Sequence, residues 1–152
     1  MKIFYNKGIT VIEIVVVLAI LVIIIGVTLP SFQNMRENQI FKTTLSEVVS
    51  TINKARGESM SSVNSQEYGV HFESDQVVIF SGTVYSDVAP DNVITEITSP
   101  ASISDIDITG GGSDLYFDRL TGAPDHTAEI TVSTTTLSDV IVISGTGIVS
   151  IK

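Results

Sequence analysis

Cysteine is absent from this 152-residue chain, which removes disulfide staples, thiolate metal sites and cysteine nucleophiles. The absence does not fix the compartment, because exported proteins need not use disulfides. Charge is scarce at 16% of residues, and positive charge is scarcer: 8 Lys and Arg stand against 17 Asp and Glu, for a net charge of −9. From Glu58 onward only Arg119 and Lys152 are basic, so 14 acids against two bases give −12. Such a surface repels phosphate backbones, so no nucleic-acid binding is predicted for this part; the acidity reads first as solubility. Histidine occurs only at 71 and 126. His71 falls in a candidate strand and His126 in a Pro-Asp-His-Thr turn, and both read as structural or exposed groups. No G-x-S-x-G frames a serine. Gly110-Gly111-Gly112 lacks a following Lys-Ser/Thr and reads as a flexible loop, not a phosphate cradle. Asp105, Asp107, Asp114, Asp118 and Asp125 are the oxygen donors hard cations take, but without EF-hand spacing solvated loop acids are the favoured reading. The expectation is a non-enzymatic chain with no cofactor and no metal.

Apolar residues, by contrast, are concentrated at the start. The mean hydropathy of +0.39 comes mainly from Ile9 to Leu29, a 21-residue run with one charge, Glu13. At 1.5 Å per residue it would rise about 30 Å as a helix, the thickness of a bilayer core, so a transmembrane helix over 9–29 is predicted. Lys2 and Lys7 precede it, which would keep the N-terminus cytoplasmic and put the body outside. The run is longer than a cleaved secretory signal and no A-x-A site follows it. A plain single-pass anchor explains length and flanks but leaves Glu13 without a role. A carboxylate in an apolar span costs about 2.5–3.5 kcal/mol on insertion scales.

The string Lys7-Gly8-Ile9-Thr10-Val11-Ile12-Glu13-Ile14 resembles the processing motif of type IV prepilins and type II secretion pseudopilins. That resemblance implies a leader over 1–8, cleavage between Gly8 and Ile9 by a prepilin peptidase, and N-methylation of Ile9. It also implies a role for Glu13 in subunit assembly, its carboxylate neutralised by the new amine of a neighbouring subunit. Removing one partner of such a buried pair typically costs about 3–5 kcal/mol. The family usually has Phe where Ile9 stands and Leu at Val11 and Ile14.

Residues 30–59 continue as a predicted amphipathic helix. Phe32, Met35, Leu45, Val48, Val49, Ile52 and Ala55 form one apolar stripe, and Gly57 marks the exit. Pro30 divides the two halves, and an interior proline removes one helix hydrogen bond. The resemblance implies that Pro30, at the family's distance from the cut, softens the helix during assembly. A helix from Ile9 to about Ser59 would be about 75 Å long, too long for a body of this size to bury.

The rest, 60–152, reads as a β-rich head. Candidate strands are Tyr68–Phe72, Gln76–Phe80, Val93–Thr98, Ile103–Ile108, Leu115–Asp118, Ala128–Ser133, Asp139–Ile143 and Ile148–Ile151, with a hairpin at 144–147. The predicted fold class is α+β: a long transmembrane-plus-amphipathic helix packed on an antiparallel sheet or small sandwich. Leu115-Tyr116-Phe117-Asp118 with Thr121-Gly122, and the closing Val140–Val149 segment, are similar to H-type minor pseudopilins.

The resemblance therefore implies a minor pilin or pseudopilin in a type IV pilus-like or type II secretion filament. Its partners would be other pilin or pseudopilin subunits, the prepilin peptidase, an inner-membrane assembly platform, an extension ATPase, and membrane lipid before assembly. It would start in the inner membrane, with the head periplasmic or extracellular. The alternative is a single-pass anchored, β-rich adhesive or binding protein that does not polymerise.

Overall fold

A computed structural model describes residues 8–152, except for the side chains of 27–31. The leader expected over 1–8 lies outside the described residues apart from Gly8. By its contacts the chain divides into two units, Met1–Arg36 and Glu37–Lys152.

A single helical element, α1, runs over Val11–Met60. Its side chains are described in two stretches, 11–26 and 32–60. The first is apolar on every side, with Glu13 its one charge. The second is polar at one end and amphipathic beyond.

The predicted transmembrane helix requires correction. Among the described residues no helix is long and apolar enough to cross a membrane. The apolar stretch whose side chains are described, 11–26, rises about 24 Å, against a hydrocarbon core of about 30 Å. From Gln33 onward polar residues dominate. The fold is α+β without a long transmembrane helix.

The predicted apolar stripe also starts too early. Phe32 and Met35 are 72% and 68% exposed. Burial begins at Phe41 and continues through Leu45, Val48, Ile52 and Ala55 at spacings of three, four and seven. Thr44, Thr51 and Ser59 are buried on the same stretch and contribute hydroxyls rather than alkyl groups.

A 3-10 turn at Val63–Ser65 follows α1, and eight strands follow it. They are β1 Tyr68–Phe72, β2 Gln76–Ser81, β3 Val93–Glu96, β4 Ser102–Ile108, β5 Asp114–Phe117, β6 Ala128–Ser133, β7 Ser138–Ile143 and β8 Val149–Ile151. Each lies within two residues of its expected place. They form two antiparallel four-stranded sheets, A in the order β3-β2-β1-β5 and B in the order β4-β6-β7-β8. The chain enters sheet B with β4, returns to sheet A for β5, and goes back for β6. Inward residues of both sheets and the buried side of α1 share one core, including Val70, Phe72, Ile79 and Leu115 from A with Ile103, Ile130 and Ile141 from B.

Strand β4 holds its faces by a bulge. Ile103 pairs with Val132 and Ile106 with Ile130, both toward the core, although three residues apart they would point to opposite faces. The register shift between Ile103 and Asp105 adds one residue to β4 and restores the alternation.

Candidate functional site

The segment singled out by the sequence stands at the start of α1. Gly8, Ile9 and Thr10 precede the helix and are exposed, Ile9 at 74%. Around Gly8 no atom lies within 4 Å of where a Cβ would sit. The bond between Gly8 and Ile9 is therefore open on the described chain.

Thr10 is the N-cap of α1. Its carbonyl accepts the first helical bond from Ile14 N at 3.3 Å. Its Oγ1 accepts a bond from Glu13 N, also at 3.3 Å. An N-cap hydroxyl meeting the third helical amide, with glutamate at that third position, is the spacing of a capping box. Glu13 thus sits in the first turn of the helix, where the unpaired amides and the helix dipole favour a negative charge. Sequence reasoning placed Glu13 inside an apolar span and missed the T-x-x-E signal that marks a helix start. Ile9, Glu13, Ile14, Val17 and Leu18 line one shallow apolar groove. Pro30 lies within α1, among the residues whose side chains fall outside the description.

Around α1 the apolar side chains of 11–23 are exposed: Val11 is 80% exposed, Val17 51% and Val22 69%. Water does not favour such a surface. At roughly 25 cal/mol per Å² of apolar area, covering it is strongly favourable.

The body has three polar fastenings that the sequence did not reveal. At one end of its helical stretch, Glu37 Oε1 accepts bonds from Thr136 N at 3.1 Å and Thr136 Oγ1 at 3.0 Å, in the β6–β7 turn. The Thr134 hydroxyl, against some desolvation and with help from Thr136 and Thr135, holds the Glu37 carboxyl below the ordinary glutamate range. At the other end, Arg56 donates from Nε to Gly122 O at 3.0 Å and from a terminal nitrogen to Thr146 O at 3.2 Å. Both glycines of that corner, Gly122 and Gly147, have positive φ, and a Cβ on either would run into the Arg56 side chain or its neighbours. Buried Ser59 accepts from Tyr68 N at 2.7 Å and donates to Tyr68 O at 3.2 Å, fixing the first strand to the helix end.

The two histidines differ. His126 bonds Asp125 at 2.7 Å at the exposed edge of a turn, over Gly110. His71 stands on the outer face of sheet A. Its Nδ1 bonds Asp114 and its Nε2 faces Glu73 at 3.2 Å, while its ring stacks on Tyr85 at 3.9 Å and 7°. The five aspartates considered for a cation are dispersed: Asp105 and Asp107 on β4, Asp114 on His71, Asp118 in the turn after β5, and Asp125 capping Tyr116 N. Among the described residues no group of three or more His, Asp or Glu is placed to hold a metal ion.

Comparison with known proteins finds no matching family model, no matching curated protein and no matching solved structure. The resemblance to prepilins rests on the sequence, chiefly on the residues from Lys7 to Ile14.

Proposed function

We propose that this chain is a structural subunit of a prepilin-type filament, cut after Gly8 and N-methylated on Ile9, with the acidic β-rich body as its displayed head. The observation that carries the reading is the contrast within α1: a run of exposed apolar side chains from Val11 to Ile23, directly after an exposed Gly8-Ile9 bond. Other subunits, packing the same stretch side by side, would supply the missing cover. Glu13 at the helix start would then meet the Ile9 amine of a neighbour. Its partners would be other pilin or pseudopilin subunits, a prepilin peptidase and an assembly platform, and a minor rank is the favoured one.

The test is mass spectrometry of the mature N-terminus from cells that contain a prepilin peptidase. An N-methyl-Ile9 start is expected; a mature chain that begins at Met1 would falsify the reading. A second reading draws on the Thr10 cap. With the helix start fixed there, the Glu13 carboxylate in the first turn has a purpose within its own helix, beside the unpaired amides, as a binding protein that never polymerises would need. Glu13→Ala separates the two: filament incorporation falls in the first reading, and only the helix start weakens in the second.

A further inference from the structure

The outer face of sheet A carries a feature that the filament reading does not use. Phe80 is only 1% exposed, yet it points away from the shared core. Its ring lies over Gly69, the cross-strand neighbour, where any Cβ would collide with it. Above it stands Tyr85, edge-on at 5.7 Å and 61°. Tyr85 belongs to the connection 82–92 between β2 and β3. This strap is fastened at its base by Ser81 to Asp91 and by Gly82 N to Glu67 O at 2.8 Å. Within it, Asn92 donates to Ser86 O at 2.8 Å. Its tip is exposed: Val84 is 76% and Val88 88% exposed. What holds the middle of the strap to the sheet is the stack of Tyr85 on His71.

We propose that 82–92 is a protonation-gated strap: the His71 imidazolium clamps Tyr85 over Phe80, and loss of the ring proton releases it and uncovers an apolar patch.

The chemistry follows from donors and acceptors. An imidazolium has two N–H donors; a neutral ring has one donor and one acceptor. Asp114 from β5 and Glu73 from the β1–β2 turn face the two ring nitrogens, and Gln76 Nε2 fixes Glu73 at 2.8 Å. Both bonds can form only with the imidazolium. In the neutral ring one lone pair faces a carboxylate, which pushes the ring off its seat and unseats Tyr85 with it. The strap itself carries Asp91, held by Ser81 at its base, and Asp87, whose Oδ1 accepts from the Tyr85 hydroxyl at 3.4 Å. Burial, with Asp87, Glu73 and Asp114 close by, raises the Tyr85 hydroxyl above its ordinary range, so the phenol stays neutral throughout. Histidine is the side chain whose charge ordinarily changes between about pH 5 and 8. The clamp is therefore closed while the ring carries both protons and open once one is lost.

Amide hydrogen exchange on the full chain tests this, at about pH 5.5 and 8 with correction for the chemical rate. Protection of the Ala89 and Asn92 amides should fall about fivefold from the lower to the higher pH, the size of one net hydrogen bond. The amides of β7 serve as the internal reference and should not change. His71→Phe keeps a stacking ring without a titrating proton, and its strap protection should be the same at both values. Equal protection at both values in the unaltered chain overturns the proposal, as does an unchanged step in His71→Phe. Where that variant loses β7 protection, NMR of the unaltered chain decides: the ring signals of Tyr85 should move in step with those of His71 as pH changes, and independent movement refutes the clamp.

Discussion

Ile20 and Ile52 are the same residue on the same helix, and the chain treats them in opposite ways. Ile20 is 51% exposed and Ile52 is 0% exposed. The difference lies in what each stretch can reach. Residues 37–60 pack against two sheets of inward Val, Ile and Phe, while the apolar side chains of 11–23 are exposed. The body carries its own core, and the described apolar stretch of the first unit is exposed. Stability measured on the monomer therefore reports on the body, and under the proposed filament reading assembly would report on the first unit.

The largest expected effect breaks this comparison most directly. Ile52→Ala should lower the unfolding free energy by about 2–5 kcal/mol in urea titration, through lost transfer energy and a cavity. Ile20→Ala should leave that midpoint within about 0.5 kcal/mol, as substitutions off packed sites do. Equal losses would mean that the first unit already has cover in the monomer.

Next comes Gly69→Ala, whose new methyl would press into the Phe80 ring. Overpacking of this kind costs about 1–3 kcal/mol, read as a lower thermal midpoint. Arg56→Ala should cost about 1–3 kcal/mol, because two charge-assisted bonds to loop carbonyls are lost. Lys54→Ala, two residues away on the exposed side, is the control and should do almost nothing.

Thr10→Ala belongs to the other unit. It should weaken the helix start by about 1 kcal/mol and leave the body's unfolding unchanged. Comparing Thr10→Ala with Glu13→Gln in filament incorporation sharpens the role of Glu13. A cap role predicts similar small losses from both, and a charge-pair role predicts a large loss from Glu13→Gln only.

The smallest effect is a slope. The Glu37 carboxyl is held below its ordinary value of 4.5 by Thr134 and Thr136. A group depressed in the folded state adds stability that is present above its unfolded value and is lost as pH falls through its folded one. Acid titration of stability should therefore steepen slightly below pH 4.5, and Glu37→Gln should remove that part of the slope.

The strands were legible because each is a short Val, Ile or Thr run between turn formers, and such runs have few alternatives. The helix was legible as a helix, and so was its covered side at Leu45, Val48, Ile52 and Ala55, but not where that cover begins. Phe32 and Met35 fit the same periodicity as Leu45 and Val48, and periodicity says nothing about whether a partner exists. The membrane span was overdrawn because hydropathy counted from Ile9 to Leu29, whereas the described apolar stretch of the helix is 11–26. At the candidate site Gly8, Ile9 and Glu13 were legible as a string. The Thr10 cap was visible at three residues' spacing and was overlooked. The His71 cluster could not be read, since its partner Asp114 is 43 residues away and the two meet only through the β1–β5 pairing.

The fastenings at Glu37 and Arg56 stand 19 positions apart on α1, about 28 Å along its axis. Both reach turns of sheet B, the β6–β7 turn through Thr136 and the β7–β8 turn through Thr146. In mechanical terms the helix is riveted at two points rather than glued at one. An axial pull arriving through α1 is met in shear, by both rivets and the packed side chains between them at once. Peeling, in which contacts yield one after another, would first have to break the Glu37 rivet. A head built this way stays attached to its helix under tension.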